Sequence, residues 1–228
     1  MAQLIEGLTV AGVRANVERA CEEIATACDR AGRDPSSVAL LAAVKYVAVD
    51  ELPVLAEAGI ALVGENRAQE LERKVAAPGG ERFTWDFIGH LQSRKVKQIL
   101  PHVRLIHSVG SASVVRELGR HAGGREPRLR ILVEVNIAGE EGKSGIAPDA
   151  LDAFIASCRD EGGVEVAGLM TMPPRADSAQ DSRRWFAALA ELAGARGLPE
   201  LSMGTTQDFS VAVEEGATIV RLGTKLYR

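Results

Sequence analysis

The 228-residue chain has few cysteines and aromatic residues, no strong excess of charge and no long uncharged apolar run. Its three cysteines, Cys21, Cys28 and Cys158, form no C-x-x-C pair, and their odd number argues against a secreted disulfide framework and favours a reducing cytoplasm. Basic residues number 27 and acidic residues 31, a net charge of −4, so neither a nucleic-acid nor a membrane-surface partner is expected. Without an apolar run of about 18 residues or a signal-like N-terminus, export and membrane spanning are not expected either.

Several common functional motifs are also missing. The four histidines show neither H-x-H nor H-E-x-x-H spacing, so no metal site is predicted. The sequence contains no G-x-S-x-G, no P-loop and no G-x-G-x-x-G after a strand. Hydrolase, NTPase and dinucleotide-binding functions therefore have no local support.

Eight short aliphatic or β-branched runs alternate with helical stretches, and each run predicts a strand. The runs cover residues 38–44, 60–63, 84–88, 104–107, 130–136, 164–169, 200–202 and 218–222. Strands that alternate with crossover helices predict a parallel sheet, and eight such units close most naturally into a single (β/α)8 TIM barrel. We predict one α/β domain over residues 1–228, with a six-stranded doubly wound sheet as the alternative.

A helix is predicted over residues 12–31, before the first strand. Its apolar stripe consists of Val13, Val17, Ala20, Cys21, Ile24 and Cys28. Because little chain follows the eighth strand, we expect this helix to close the outer ring in place of an eighth helix. Both of its cysteines are expected to be small buried side chains. Asp50 and Ser111 are candidate N-caps of later helices.

Polar residues follow the predicted strands at their carboxyl ends, where barrels of this type carry their active sites. Lys45 follows the run at 38–44 and is expected at the barrel mouth. Burial lowers the pKa of an amine, which favours the neutral nucleophile that forms a Schiff base with an aldehyde. The alternative is a strand-end lysine whose ammonium reaches solvent. Tyr46, the next residue of an extended strand, is expected on the opposite side.

Two segments at this rim combine glycines with hydroxyl residues, the pattern of a phosphate site. SMGTTQD at 202–208 and RLGTK at 221–225 follow the seventh and eighth predicted strands, the usual phosphate position of these barrels. A Schiff-base lysine opposite a phosphate site specifies a ligand with an aldehyde and a phosphate, and pyridoxal 5′-phosphate (PLP) fits. Between these anchors, Arg221 either approaches the ring nitrogen, discouraging its protonation, or pairs with a carboxylate.

Eight collinear segments that span nearly the whole chain match one known family. They are LLAAVK (40–45), GENRAQE (64–70), FIGHLQSRK (87–95), HSV (107–109), VNIAGEEGKSG (135–145), GLMTMPP (168–174), LSMGTTQD (201–208) and VRLGT (220–224). On these segments the chain resembles the YggS/PROSC family of pyridoxal phosphate homeostasis proteins. The chain differs from the family pattern at five positions, which are Val44, Arg94, Gly110, Thr205 and Thr206 here.

The resemblance implies a barrel similar to the N-terminal domain of bacterial alanine racemase, without the racemase's second, β-rich domain. It implies that Lys45 carries the aldimine and that Arg221 faces the pyridine nitrogen. The implied phosphate contacts are Ser202, Thr206, Gly223 and Thr224. Residues implied to line the cofactor pocket are Asn66, His90, Asn136 and Met170.

Chemistry distinguishes a carrier from an enzyme among these possibilities. Racemisation needs a base on each face of the cofactor adduct and an electron sink, and only one base, Lys45, is evident. An open single barrel also leaves the cofactor near water. We therefore favour a cytoplasmic, monomeric PLP carrier, with PLP-dependent apoenzymes as possible partners and no catalytic residue assigned. A weak amino-acid racemase and a class I aldolase acting on a sugar phosphate remain alternatives.

Overall fold

The computed structural model describes residues 4–124 and 126–228. Within these ranges, parallel strands close into a barrel in chain order, and β1 pairs with both β2 and β8. The strands are β1 (Ala39–Ala43), β2 (Leu62–Glu65), β3 (Thr84–Phe87), β4 (Leu105–Val109), β5 (Leu129–Glu134), β6 (Val164–Met170), β7 (Glu200–Thr205) and β8 (Ile219–Leu222). Each matches a predicted run, so the eight-stranded barrel is confirmed. The doubly wound alternative is wrong, because an open sheet has two free edges, whereas β1 and β8 pair with each other here.

The helices lie outside the barrel; the first precedes β1, the last follows β8, and the others connect successive strands. They are α1 (Val10–Arg30), α2 (Leu52–Glu57), α3 (Ala68–Val75), α4 (Val96–Ile99), α5 (Ala112–Ala122), α6 (Leu151–Asp160), α7 (Arg183–Gly194), α8 (Phe209–Glu214) and α9 (Thr224–Tyr227). Ser111 caps α5 as predicted, since its side chain accepts from the N–H of Val114. Asp50 is not a cap, because it lies inside a single 3-10 turn that begins at Val49.

In the described part of the chain, no helix has both the length and the apolar character needed to cross a membrane.

Helix α1 closes the outer ring, as predicted. It packs against α2, α8 and α9, which flank the junction of β1 with β8. The buried Asn16 side chain donates to the carbonyls of Leu226 at 3.0 Å and Arg228 at 3.3 Å, which ties α1 to α9. Cys28 is buried but Cys21 is exposed, so its predicted burial is wrong. The buried face of α1 runs through Ala20, and the next residue lies about 100° around the helix.

Two sets of side chains fill the space inside and outside the strands. The main apolar core lies between the strands and the helices, and a smaller cluster fills the barrel. The smaller cluster consists of Leu41, Leu105, Leu132, Ala167, Met170 and Ile219. Alternation along each strand turns residues two apart to the same side. His107 therefore shares the interior with Leu105, and Arg221 shares it with Ile219.

Candidate functional site

A cavity of about 470 Å³ opens where the carboxyl ends of the strands meet, a volume typical of small-molecule sites. It is bordered by the loops that follow β1, β2, β3, β6, β7 and β8. Six of the predicted site residues line it, namely Lys45, Asn66, Thr206, Arg221, Gly223 and Thr224. Barrel closure thus brings together residues from both ends of the sequence.

Lys45 lies in a turn just beyond β1 and is partly buried. Its Nζ atom is 5.1 Å from the centroid of the Tyr46 ring, within cation–π distance. Tyr46 lines the same cavity, so the prediction that it points away from Lys45 is wrong. The reason is that β1 ends at Ala43, and the alternation of side chains ends with it.

A buried ion pair supports the two turns that carry Lys45 and Asn66. The Nζ of Lys74 donates to the carbonyl of Val44 at 2.5 Å and to a carboxylate oxygen of Glu65 at 2.6 Å. The other Glu65 oxygen accepts the backbone N–H of Asn66 at 2.7 Å. Neither Lys74 nor Glu65 lines the cavity, so the pair affects the site only by fixing the backbone of the turns that do.

Asn66 presents an unsatisfied acceptor at this site. Its Oδ1 is buried and has no hydrogen-bond partner among the described residues. An unpaired buried polar atom costs about 1–3 kcal/mol, so a donor on a ligand would remove this cost. The loop after β3 packs close behind Asn66, because a Cβ on Gly89 would lie 2.1 Å from the carbonyl oxygen of Asn66. Only glycine permits this approach.

The loops after β7 and β8 meet on the other side of the cavity. The N–H of Gly223 donates to Oγ1 of Thr206 over 3.5 Å, and Thr224 lies next in the chain. The helices that follow, α8 and α9, have only six and four residues. An anion would therefore be bound by individual hydroxyl and N–H donors rather than by the dipole of a long helix.

Arg221 forms the cavity wall nearest the barrel interior. Its Nη1 donates to the carbonyl of Ser202 at 2.8 Å and to the Ser202 Oγ at 2.5 Å. Its Nη2 donates to the carbonyl of Thr171 at 3.0 Å and contacts the Met172 sulfur at 2.9 Å. Burial lowers the pKa of Arg221 to about 10, although the negative charges of Asp208 and Glu134 act to raise it. The guanidinium thus remains charged at neutral pH.

Ser202 does not line this cavity, although the family resemblance implies that it contacts the phosphate. It is fully buried on β7, and its hydroxyl also bonds to Nδ1 of His107 at 2.8 Å. The alternation of β7 turns Ser202 into the barrel, whereas Thr206 lies beyond the strand end and reaches the cavity. The sequence segment 202–208 is therefore divided between two environments.

His90, Asn136 and Met170 line a second cavity of about 220 Å³ beside the first. The two cavities share Ile88 and Met172 but not Lys45. The Asn136 amide is already bonded at both ends to the backbone of residue 140, at 2.9 and 3.1 Å. The structure thus does not bring these three predicted residues to the Lys45 cavity.

Sequence reasoning missed several polar residues because they lie inside apolar patterns. Asp86 interrupts the run TWDFI on β3, and in the structure it lies fully buried in the barrel. Lys74 falls on the buried face of α3 together with Ala68 and Leu71. A charged residue at an apolar position of a strand or helix is the signal that was available in each case.

The residues present fit a phosphorylated aldehyde such as PLP. The cavity offers a primary amine, hydroxyl and N–H donors, a charged guanidinium and the unpaired acceptor of Asn66. Within residues 4–124 and 126–228, no group of three or more His, Cys, Asp and Glu side chains is placed to hold a metal ion.

Comparison with known proteins agrees with this geometry. Residues 20–228 match the family model described as alanine racemase, N-terminal domain. A curated Aquifex aeolicus protein, named pyridoxal phosphate homeostasis protein, is 39% identical over 217 residues, which cover 92% of this chain and 95% of that protein. A structure of PipY from Synechococcus elongatus PCC7942 with PLP bound has a TM-score of 0.77 and 30% identity, covering 91% of this chain and 99% of that one. An alanine racemase from Clostridium difficile 630 shares the fold, with a TM-score of 0.71 and 12% identity, over 100% of this chain and 59% of its own.

Proposed function

We propose that this chain, which belongs to the alanine racemase N-terminal domain family and within it to the pyridoxal phosphate homeostasis proteins, binds PLP in the Lys45 cavity. The observation that carries the proposal is that one cavity joins the Lys45 amine to the loops of Thr206 and Gly223. When bound, PLP supplies an aldehyde that can bond reversibly to an amine and a phosphate that needs several donors.

Each residue of the cavity then has one role. Lys45 provides the amine for covalent attachment, and Thr206, Gly223 and Thr224 provide donors for the phosphate. Arg221 provides a charged donor toward the ring nitrogen, which it keeps unprotonated because the guanidinium has no acceptor. Asn66 accepts a hydrogen bond from the ligand.

We infer a carrier rather than an efficient catalyst from the groups that surround the amine. A charged Arg221 beside the ring nitrogen makes the ring a weak electron sink. Burial raises the pKa of the Tyr227 phenol in the cavity wall, so this phenol stays protonated at neutral pH and cannot act as a second base. The whole chain, residues 1–228, then acts as one PLP-binding unit. We propose that it works as a monomer in the cytoplasm and passes PLP to PLP-dependent apoenzymes.

Borohydride trapping followed by peptide mass spectrometry tests the binding function. Wild-type protein mixed with PLP is expected to gain a phosphopyridoxyl group on the peptide that contains Lys45, and Lys45→Ala is expected to lose it. Lys97→Ala, which removes an exposed lysine, is the matched control and keeps the adduct. An adduct on another lysine, or an unchanged adduct in Lys45→Ala, contradicts the proposal. A sugar-phosphate adduct after trapping in cell extract indicates an aldolase instead.

Two further measurements separate carrier from racemase. Exchange of the α-proton of alanine in deuterated water is expected to be no faster with the protein than with free PLP. Preloaded protein is expected to reactivate a PLP-dependent apoenzyme. Lys45-dependent exchange well above the free-cofactor rate would favour the racemase.

A further inference from the structure

A chain of buried polar side chains crosses the barrel interior and ends at Arg221. Asp86 on β3 lies 3.1 Å from Nε2 of His107 on β4. The other ring nitrogen of His107 lies 2.8 Å from Oγ of Ser202 on β7, and this oxygen lies 2.5 Å from Nη1 of Arg221 on β8. Asp86, His107 and Ser202 are each fully buried. None of these three lines the Lys45 cavity.

The charged groups around His107 determine which atoms of these buried side chains carry protons. Burial raises the pKa of Asp86, but hydrogen bonds from His107 and Arg104 outweigh burial and leave it below its usual value. Arg104 supplies two of these bonds, at 3.0 and 2.5 Å. Burial lowers the pKa of His107 more than Asp86 raises it. Asp86 is therefore ionised and His107 neutral.

Only one arrangement of hydrogen bonds is consistent with these states. The Nε2–H of His107 donates to the Asp86 carboxylate, so Nδ1 is left as an acceptor. The Ser202 hydroxyl donates to that Nδ1, and its oxygen is left to accept from Arg221. The hydroxyl of Ser202 is thus fixed in direction by His107 rather than free to rotate.

These hydrogen bonds leave Arg221 with a single N–H donor for a ligand. Both Nη1 hydrogens are directed at Ser202, and Nη2 is engaged by Thr171 and Met172. Among the described residues, Nε is the one nitrogen of this guanidinium without a partner. One N–H matches one acceptor atom, whereas a carboxylate or phosphate is bound best by two parallel donors.

We propose that Ser202, oriented by His107 and Asp86, is a positioning residue that holds Arg221 so that one N–H is directed at an aromatic ring nitrogen in the Lys45 cavity. The inference rests on the proposed binding of PLP and extends it to residues that do not touch the ligand. Without the Ser202 hydroxyl, Nη1 of Arg221 and Nδ1 of His107 each lose a partner in a buried site, and the guanidinium is free to turn.

Two ligands separate positioning from a merely structural role. PLP has the ring nitrogen, and 1-deaza-PLP carries a C–H group in its place and cannot accept this hydrogen bond. We expect Ser202→Ala to weaken PLP binding about tenfold or more and to change 1-deaza-PLP binding less than about twofold. Ser202→Thr keeps a hydroxyl and is expected to recover most of the PLP affinity. Thr218→Val removes a hydroxyl that bonds the β7 backbone away from the cavity and is the matched control, with both affinities unchanged.

Equal losses for both ligands in Ser202→Ala, or no loss for either, overturn the inference while leaving PLP binding itself intact. A wild type that binds neither ligand overturns the proposed function instead. If Ser202→Ala does not fold, the nitrogen NMR signals of His107 in the wild type decide the question. A proton on Nε2 alone supports the inference, and a proton on Nδ1 overturns it because Ser202 would then be unable to donate.

Discussion

Lys74 and Glu65 form an ion pair 2.6 Å apart whose side chains are 2% and 0% exposed. They are only nine positions apart in the chain, yet Lys74 lies on α3 and Glu65 at the end of β2. A buried pair of this kind gives little net stability over an apolar pair, but it is expensive to break. The pair matters here for geometry, because the two charges hold the backbone of the two adjacent turns after β1 and β2 that carry Lys45 and Asn66.

Replacement of Lys74 by Met is expected to lower the free energy of unfolding by about 3–5 kcal/mol, since the Glu65 carboxylate stays buried without its cation. PLP affinity is expected to fall as well, because the turn of Lys45 loses the donor to Val44. Urea unfolding and PLP titration measure the two effects. Arg73→Met, at the exposed neighbouring position, is the control and is expected to change stability by less than about 0.5 kcal/mol. Equal stabilities for the two variants would contradict this role.

Thr206→Val is expected to weaken PLP binding about tenfold through the phosphate, because a hydroxyl donor to an anion is lost. Pyridoxal, which lacks the phosphate, is expected to bind the variant and the wild type alike. Absorbance titration with both ligands provides the comparison. A similar loss for both ligands would show that Thr206 shapes the cavity without contacting the phosphate.

The buried His107 and Asp86 predict that stability falls on acidification. The pKa of His107 is lowered in the folded state, so below about pH 6.5 the unfolded chain binds a proton that the folded chain does not. The pKa of Asp86 is also lowered, so its stabilising effect is complete above about pH 4 and is lost as the pH falls through its folded value. Each such proton contributes a slope of up to about 1.4 kcal/mol per pH unit.

Urea unfolding at pH 7.5, 6.0 and 5.0 measures this dependence. We expect the free energy of unfolding of the wild type to decrease between the first and the last pH. His107→Asn is expected to be less stable at pH 7.5 but to show a smaller decrease over the same interval. If the variant keeps the full slope, His107 is not the source of the effect.

Asn16→Ala is expected to lower the free energy of unfolding by about 1–3 kcal/mol, since two carbonyls near the C-terminus lose their donor. Hydrogen exchange at the amides of residues 224–227 is expected to accelerate, because the side-chain hydrogen bonds from α1 to the C-terminal segment are lost. Glu18→Ala, on the exposed face of the same helix, is the control and is expected to leave both properties unchanged. Unchanged exchange in Asn16→Ala would mean that α9 is held by its other contacts.

Many candidate site residues could be predicted from the local sequence, because residues at the carboxyl ends of the strands of a parallel barrel all lie at the same rim. Lys45, Thr206 and Arg221 come from distant parts of the chain, yet each follows or ends a predicted strand on the same side. Once the strands were recognised as parallel and closed, these residues had to meet. The same reasoning failed for Ser202, whose strand extends three residues beyond the predicted end at 202.

The order of apolar runs and the glycine- and hydroxyl-rich segments were sufficient to determine the barrel, the lysine at its mouth and the candidate phosphate site. Only the tertiary structure decided that Tyr46 faces Lys45, that Glu65 pairs with Lys74, and that Asp86, His107 and Ser202 connect to Arg221. Periodicity reports which face of an element is buried, but the partner of a buried polar group depends on register between strands. That register is set when the barrel closes, by contacts that no single segment contains.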